Sequence, residues 1–176
     1  GLMGHITQCR NMSMLVENSS NVGMVSGKSH VGGLVGRIHL NEGAEVTFKK
    51  SVNLGNISSQ ENSGGIIATV SSIGVLIVDN CVNTGSIHVL CRTCFVGGLI
   101  GDVDYRDSKS SAKFFISSFV NQNNMSVTFK FGAVGGVIGR IRETVNVSVV
   151  ILNTTTNGFL NAEVQNAESY ISAVGG

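Results

Sequence analysis

The stretch Ser29–Leu40, "SHVGGLVGRIHL", sets two glycines before a short apolar run, a third glycine inside the run and a charge directly after it. The phrase returns as "NSGGIIATV", "FVGGLIGDV" and "AVGGVIGRI", with broken copies at both ends, "GLMGHI" and "AVGG". Self-similarity at a fixed period is the signature of a repeat architecture and governs every later reading. The second glycine of each pair falls at Gly1, Gly33, Gly65, Gly98, Gly136 and Gly176, in steps of 32, 32, 33, 38 and 40 residues. The longer steps imply loop insertions in a single repeat domain spanning 1–176, with repeats near 1–32, 33–64, 65–97, 98–135 and 136–176.

Between these marks lies a second phrase, "SNVGMV", "VNLGNI", "VNTGSI" and "VNQNNM", carrying Asn21, Asn53, Asn83 and Asn121. In the last repeat the best register puts Thr156 at the asparagine position and Gly158 at the glycine, with Asn153 as the competing choice.

Aligned columns show the use of each position. Leu2, Leu34, Ile66, Leu99 and Val137 stack. Two places on come Gly4, Gly36, Ala68, Gly101 and Gly139, then Ile6, Ile38, Val70, Val103 and Ile141. Period two is a strand. The middle column admits nothing larger than alanine, as close approach of another backbone requires. The intervening column, Met3, Val35, Ile67, Ile100 and Ile138, is apolar too, so this strand is expected to be covered on both faces. At His5, Arg37, Thr69, Asp102 and Arg140 it turns polar, and there it is expected to leave the covered region. In the second phrase Val25, Ile57, Ile87, Met125 and Leu160 form an apolar column, while Met24, Asn56, Ser86, Asn124 and Phe159 form a mostly polar one that faces solvent.

No such strand buries itself alone, but like residues stacked coil on coil make continuous aliphatic rows, and stacked asparagines can bond to their neighbours. The expected fold is all-β, a β-solenoid of about five repeats of 30–40 residues. The doubled glycine is expected at a turn or bulge with positive φ, and the third glycine at a packing site. A phosphate loop would need a following Lys-Ser/Thr and a helix, and has neither.

Composition agrees. The chain has 42% hydrophobic residues, 23 glycines, no proline and no tryptophan. Runs of strong helix formers are missing, and the balance is that of a β protein. Charged residues are 13%, at net +1. That leaves no electrostatic footprint for nucleic acid. No apolar run approaches the roughly 18 residues of a membrane span, and no basic start followed by an apolar core marks a signal peptide.

The phrases "VGGLVG", "VNLGNI", "VGGLIG" and "VGGVIG" resemble the GLUG motif, a short repeat found in arrays on large extracellular proteins, including bacterial adhesins and some immunoglobulin-cleaving peptidases. The resemblance covers nearly the whole chain and departs in the second phrase of the last repeat. It implies a β-solenoid stalk or surface module and no catalytic residue. In those peptidases the chemistry lies outside the repeats, and no HExxH motif occurs here.

Six Asn-x-Ser/Thr sequons stand at Asn11, Asn18, Asn56, Asn124, Asn146 and Asn153. Asn56 and Asn124 share the solvent-facing column. Asn11 and Asn146 lie ten residues after an anchoring glycine, and Asn18 and Asn153 seventeen after one. Matching offsets point to one outer surface bearing N-linked glycans. Four cysteines, Cys9, Cys81, Cys91 and Cys94, are disulfide candidates in an extracellular solenoid, and Cys81 bonded to Cys91 or Cys94 in "CRTC" is the expected bridge. Zinc would need a second ligand pair, so no metal and no cofactor are expected.

"GDVDYRD" brings Asp102, Asp104 and Asp107 together, which could bind calcium or hydrolyse sugars. No acidic partner cluster recurs in neighbouring coils, and a solvated loop is the expectation. His5, His30, His39 and His88 share no column and are expected at the surface or edges. Phe114, Phe115 and Phe119 cluster in one insertion that would pack over the core.

Three function classes compete: a structural element of an extracellular, glycosylated stalk, fibre or filament; a cell-surface adhesin or carbohydrate-binding module; and a polysaccharide-degrading enzyme. The first is preferred. Both ends break a repeat, so uncapped edges and self-association, or continuation in a longer array, are expected at an extracellular or cell-surface location.

Overall fold

The structure is a computed structural model describing residues 1–9, 11–40, 43–71, 74–104, 112–142 and 147–164, the side chains of Gln8, Cys9 and Leu40 excepted. It is an all-β solenoid. The first coil runs through β1 (Met3–Cys9), β2 (Ser13–Glu17), β3 (Ser20–Asn21), β4 (Val25–Ser26) and β5 (Val31–Gly32). The second contains β6 (Val35–Leu40), β7 (Glu45–Lys49), β8 (Val52–Asn53), β9 (Ile57–Ser59) and β10 (Ser63–Gly64). The third contains β11 (Ile67–Val70), β12 (Val75–Asp79), β13 (Val82–Asn83), β14 (Ile87–Leu90) and β15 (Thr93–Gly97). The fourth contains β16 (Ile100–Asp104), β17 (Ala112–Ser117), β18 (Val120–Asn121), β19 (Met125–Phe129) and β20 (Phe131–Gly135). The fifth adds β21 (Ile138–Arg142), β22 (Val147–Leu152), β23 (Thr155–Thr156) and β24 (Leu160–Val164).

Each strand pairs in parallel with its counterpart one coil away, forming five sheets, A to E, named for the order of β1 to β5. Among the described residues sheets A to D have five strands each and sheet E, β20-β15-β10-β5, has four. The register follows the sequence columns: Val35 lies beside Met3 and Ile67, Asn53 beside Asn21 and Asn83, and Ile87 beside Ile57 and Met125. Thr156 pairs with Asn121, which settles the drifted last repeat in favour of Thr156 over Asn153.

The interior divides into two apolar lobes. One joins sheets A and B through rows such as Val46, Leu76 and Phe114, and Phe48, Val78 and Ile116. The other joins sheets D and E through Ile57, Ile87 and Met125 with Val96 and Val134. Burying each such side chain contributes about 1.5–3 kcal/mol, so stability accumulates coil by coil. Phe114 and Phe119 are core residues, while Phe115, next along β17, is 42% exposed on the outer face.

Between the lobes the coil is pinched, and there the two sequence phrases meet. Asn21, Asn53, Asn83 and Asn121 stack as a buried ladder: Asn21 Nδ2 donates to Asn53 Oδ1 at 2.8 Å, Asn53 to Asn83 at 2.8 Å, and Asn83 to Asn121 at 3.1 Å. A Cβ built on Gly33 would run into the Asn53 amide, one on Gly65 into Asn83 and one on Gly98 into Asn121. The second glycine of each pair therefore leaves room for the asparagine across the coil. The first glycine stands at a corner so tight that its Cβ would strike the carbonyl three residues on, Val35 O for Gly32 and Ile67 O for Gly64. Among the described residues none of these glycines has positive φ, and the glycines that do are Gly43 and Gly74. The expectation of a positive-φ turn is corrected: absence of a side chain, not left-handed backbone, selects the pair.

In the inner coils the small-residue column is closely hemmed in by backbone. A Cβ on Gly36 would lie 2.6 Å from Gly4 O and 2.7 Å from His30 O, and one on Gly139 would lie 2.5 Å from both Gly101 O and Val96 O. Gly101 is likewise hemmed in by the carbonyls of Ala68 and Phe95, and Ala68 is fully buried. Gly4, in the first coil, has nothing within 4 Å of its Cβ position. The Leu34 column lies in a bend just before the strand rather than within it, yet Leu34 and Val35 are both fully buried.

Candidate functional surfaces

Of the six sequon asparagines, Asn11, Asn18, Asn56, Asn124 and Asn153 are exposed, and Asn146 lies outside the described residues. Their backbone geometry is specific. Asn18 and Asn153 belong to a row of corner residues, Asn18, Lys50, Asn80, Ser118 and Asn153, that all adopt φ between 49° and 54°. Left-handed backbone is most readily taken by Asn among residues with a side chain. Each corner amide from Asn18 to Ser118 donates to a carbonyl of the next coil, Asn18 N to Lys49 O at 3.1 Å and Asn80 N to Ser117 O at 3.0 Å. Sequence columns did not reveal this row, because Lys50 and Ser118 occupy it beside three asparagines. Asn56 Oδ1 accepts from Ser86 N at 3.1 Å and Asn124 Oδ1 from Phe159 N at 3.2 Å, and the whole Met24, Asn56, Ser86, Asn124, Phe159 column is exposed.

The polar column of sheet A is not where the strand leaves cover. Thr69 and Asp102 are only 3% and 2% exposed. Arg140 grips Asp102 with two bonds of 2.8 and 2.9 Å, Asn62 Nδ2 adds a third at 3.1 Å, and the guanidinium lies 3.4 Å from the Phe95 ring centre. Asp102 is thus a buried strand residue in β16, and the expected solvated loop is corrected for it; Asp107 lies outside the described residues. A carboxylate so paired is a structural tie among three coils, the second, fourth and fifth.

The histidines stay apart from one another's columns. His5 and His88 are exposed, while His30 and His39 are half-buried. His39 Nδ1 and the Arg37 guanidinium share the Ser71 hydroxyl, at 3.3 and 3.2 Å. Burial, then the neighbouring Arg37, holds the His30 imidazole below its ordinary pKa. Among the described residues no group of three or more His, Cys, Asp or Glu side chains could hold a metal ion. No helix there is long and apolar enough to cross a membrane.

The disulfide joins Cys91 to Cys94, with Cα atoms 6.1 Å apart, across the turn from β14 to β15. The expected bridge to Cys81 is corrected. Cys81 points into the A–B lobe and is free, whereas Cys94 is buried in the D–E lobe on the other side of the asparagine ladder. Burial pushes the Cys81 thiol up to about 11. The Cys9 side chain lies outside the described ones.

A cleft of about 510 Å³ opens at the N-terminal end of the solenoid beneath β5. Met3, Gly4 and His5 form one wall and Val25 and Ser26 the other. Among the described residues β5 is the edge of sheet E, paired with β10. First-coil side chains that would be interior elsewhere are open here: Leu2 is 45% exposed, against 0% for Leu34 in the next coil.

No known protein family, no curated protein and no solved structure matches this chain. The β-solenoid of stacked parallel strands stands on the structure itself.

Proposed function

We propose that this chain is a GLUG-like structural coil array of an extracellular, glycosylated stalk or fibre. The observation that carries the reading is the segregation of asparagines. The ladder asparagines are buried at the waist, while every described sequon asparagine stands outside, on the corner row, the solvent column or an exposed loop residue, Asn11. At Asn56 and Asn124 the coil-to-coil bond uses Oδ1, an atom that a glycan on Nδ2 leaves in place. A low-charge rod with sugar on its outer columns is protected from sheet-edge aggregation and from proteases while its rows stay continuous. The test is intact-mass measurement of native-source protein before and after N-glycosidase, with negative-stain microscopy of the same material. Mass loss together with rods supports the reading, and unmodified, globular particles refute it.

An adhesin or carbohydrate-binding module is the alternative, favoured by one feature: the outer face of sheet B carries Leu15, Thr47, Ile77, Phe115 and Val150 in one column, apolar but for Thr47, with Leu15 59% and Phe115 42% exposed. Saturable binding on a glycan array, lost in Phe115→Ala, would move that reading ahead. A polysaccharide-degrading role would draw on Asp102, and the Arg140 and Asn62 bonds that occupy this carboxylate argue against it; turnover abolished by Asp102→Ala would restore it.

A further inference from the structure

The outer face of sheet A carries one cation that the fold leaves under-used. Arg37, in β6, stands in register between His5 in β1 and Thr69 in β11, and neither neighbour is a carboxylate. Arg140, in the same column, has Asp102 beside it and grips it at 2.8 and 2.9 Å. Arg37 has only a hydroxyl: its Nε and Nη2 both donate to Ser71 Oγ, at 3.3 and 3.2 Å, and His39 Nδ1 lies 3.3 Å from the same oxygen. A guanidinium has five N–H donors in a planar fork. Among the described residues those of Arg37 reach no other acceptor, and no carboxylate lies within ion-pairing distance of it. The next residue in the column adds an independent observation. Thr69 is 3% exposed, and its Oγ1 is sealed without a hydrogen-bond partner. Buried hydroxyls are normally bonded, so an orphan beside an unpaired guanidinium marks a place for an acceptor that the chain does not itself supply.

The surroundings select that acceptor. His30 and His5 flank Arg37, and burial first, then the Arg37 charge, hold both imidazoles below their ordinary pKa. The acidic side chains that face His30 are Glu61, which makes no ion pair with Arg37, and Asp102, which Arg140 already holds. At neutral pH the guanidinium is therefore the fixed charge of the site, and one charge suits a monoanion better than a phosphate dianion. A carboxylate fits, because its two coplanar oxygens match two N–H groups of the fork. Around that pair stand imidazoles and the Ser71 hydroxyl, groups that both donate and accept and so match the hydroxyls of a sugar ring. A peptide is served less well, since β6 is paired on both sides, with β1 and β11, and offers no free edge to a backbone.

We infer that Arg37, with Ser71 and the imidazoles of His5, His30 and His39, forms a binding site for the carboxylate of an acidic sugar. The carboxylate takes the Nη1–Nη2 edge of the guanidinium, while Ser71 holds the Nε–Nη2 edge in place. The site is centred on the second and third coils, on an outer face that a glycosylated rod keeps, so it does not depend on the stalk reading.

Isothermal titration of the folded chain with glucuronate tests the site. Binding should saturate with a Kd of about 1 mM, the scale of one bidentate pair with a few hydroxyl bonds. Glucose, which lacks the carboxylate, and an acetylated glutamyl tripeptide should each bind about tenfold more weakly or worse. Arg37→Gln should lose about tenfold in affinity, and Arg37→Lys, which keeps the charge but not the fork, should lose most of that as well. Arg142→Gln removes an exposed charge from the same sheet and should leave the affinity within about twofold. Thermal melts of the unliganded variants check that each is folded, and Arg37→Lys carries the test if Arg37→Gln is not. No saturable glucuronate binding, full affinity in Arg37→Lys, an equal loss in Arg142→Gln, or tighter binding of the peptide would each overturn the inference. Glycosylated rods in native material would leave the stalk reading standing under any of these outcomes.

Discussion

Replacing Asn83 with alanine cuts the ladder at its centre. Asn83 is fully buried, accepts from Asn53 Nδ2 at 2.8 Å and donates to Asn121 Oδ1 at 3.1 Å. Both neighbours are sealed from water, at 0% and 1% exposure, so no solvent replaces what is lost. Asn53 keeps its bond to Gly55 O at 2.9 Å but has one amide hydrogen unpaired, and Asn121 Oδ1 loses its donor. Each orphaned buried group costs about 1–3 kcal/mol. With the void left by the amide, the total is about 4 kcal/mol. For a chain of this size, that corresponds to a fall in Tm of roughly 8–16 °C. Asn21→Ala is the internal control: it removes a single ladder bond at the open end, where Asn21 is 9% exposed, and should cost about 1–2 kcal/mol. Urea midpoints of the two variants decide the matter. If Asn83→Ala is no more destabilising than Asn21→Ala, the ladder does not hold the waist together and the reasoning fails.

Gly36→Val should destabilise by about 1–3 kcal/mol, since its Cβ would lie 2.6 Å from Gly4 O; an unchanged thermal melt would show the column to be misassigned. Asn123→Ala should stabilise by about 1 kcal/mol, seen as a raised urea midpoint, because both polar atoms of this buried side chain lack a partner and Asn123 stands where other coils have Gly55 or Gly85. Arg140→Ala should cost about 3 kcal/mol by stranding the buried Asp102 carboxylate, and Asp102→Asn in the same chain should recover much of the loss in the same denaturation assay. The Cys81 thiol is raised from 9.0 to about 11, so the unfolded chain releases its proton first; stability present below pH 9 should fall by about 2 kcal/mol as pH rises towards 11, and Cys81→Ala should flatten that slope in thermal melts.

The legible part of the sequence was whatever repeats with a single chemical demand. The Leu34, Ile38 and Ile57 columns each need an apolar residue, and the Gly36 column needs a small one, so alignment exposed the solenoid, its register and its packing sites. The waist was half legible. Both phrases stood out, but their spacing along the chain says nothing of their meeting across the coil, and the glycine pair was assigned to left-handed backbone instead of to the space beside Asn53. The corner row escaped because left-handed backbone is imposed there by coil-to-coil amide bonds, which Lys50 and Ser118 satisfy as Asn18 does. Burial of Asp102 escaped because its partners, Arg140 and Asn62, belong to other coils, 38 and 40 residues away in sequence. The cysteine pairing failed for the same reason as the waist: sequence distance placed Cys81 near "CRTC", and the ladder separates them into different lobes.

What varies between coils and what does not have one physical origin. A strand inside a stack cannot gain a residue without flipping its remaining side chains to the wrong face, so extra length must go where no row depends on it. The bend from sheet A to sheet B takes part of it: Leu40 to Glu45 in the second coil and Val70 to Val75 in the third, but Asp104 to Ala112 in the fourth. The turn from sheet D to sheet E takes the rest, as β14 and β19 lengthen and the connection to β15 and β20 shortens. Between these outlets the waist, the two lobes and the glycine column superpose from coil to coil, from Met3 under Val35 to Met125 under Leu160. Every interior row therefore runs on from coil to coil, whatever length these outlets take up.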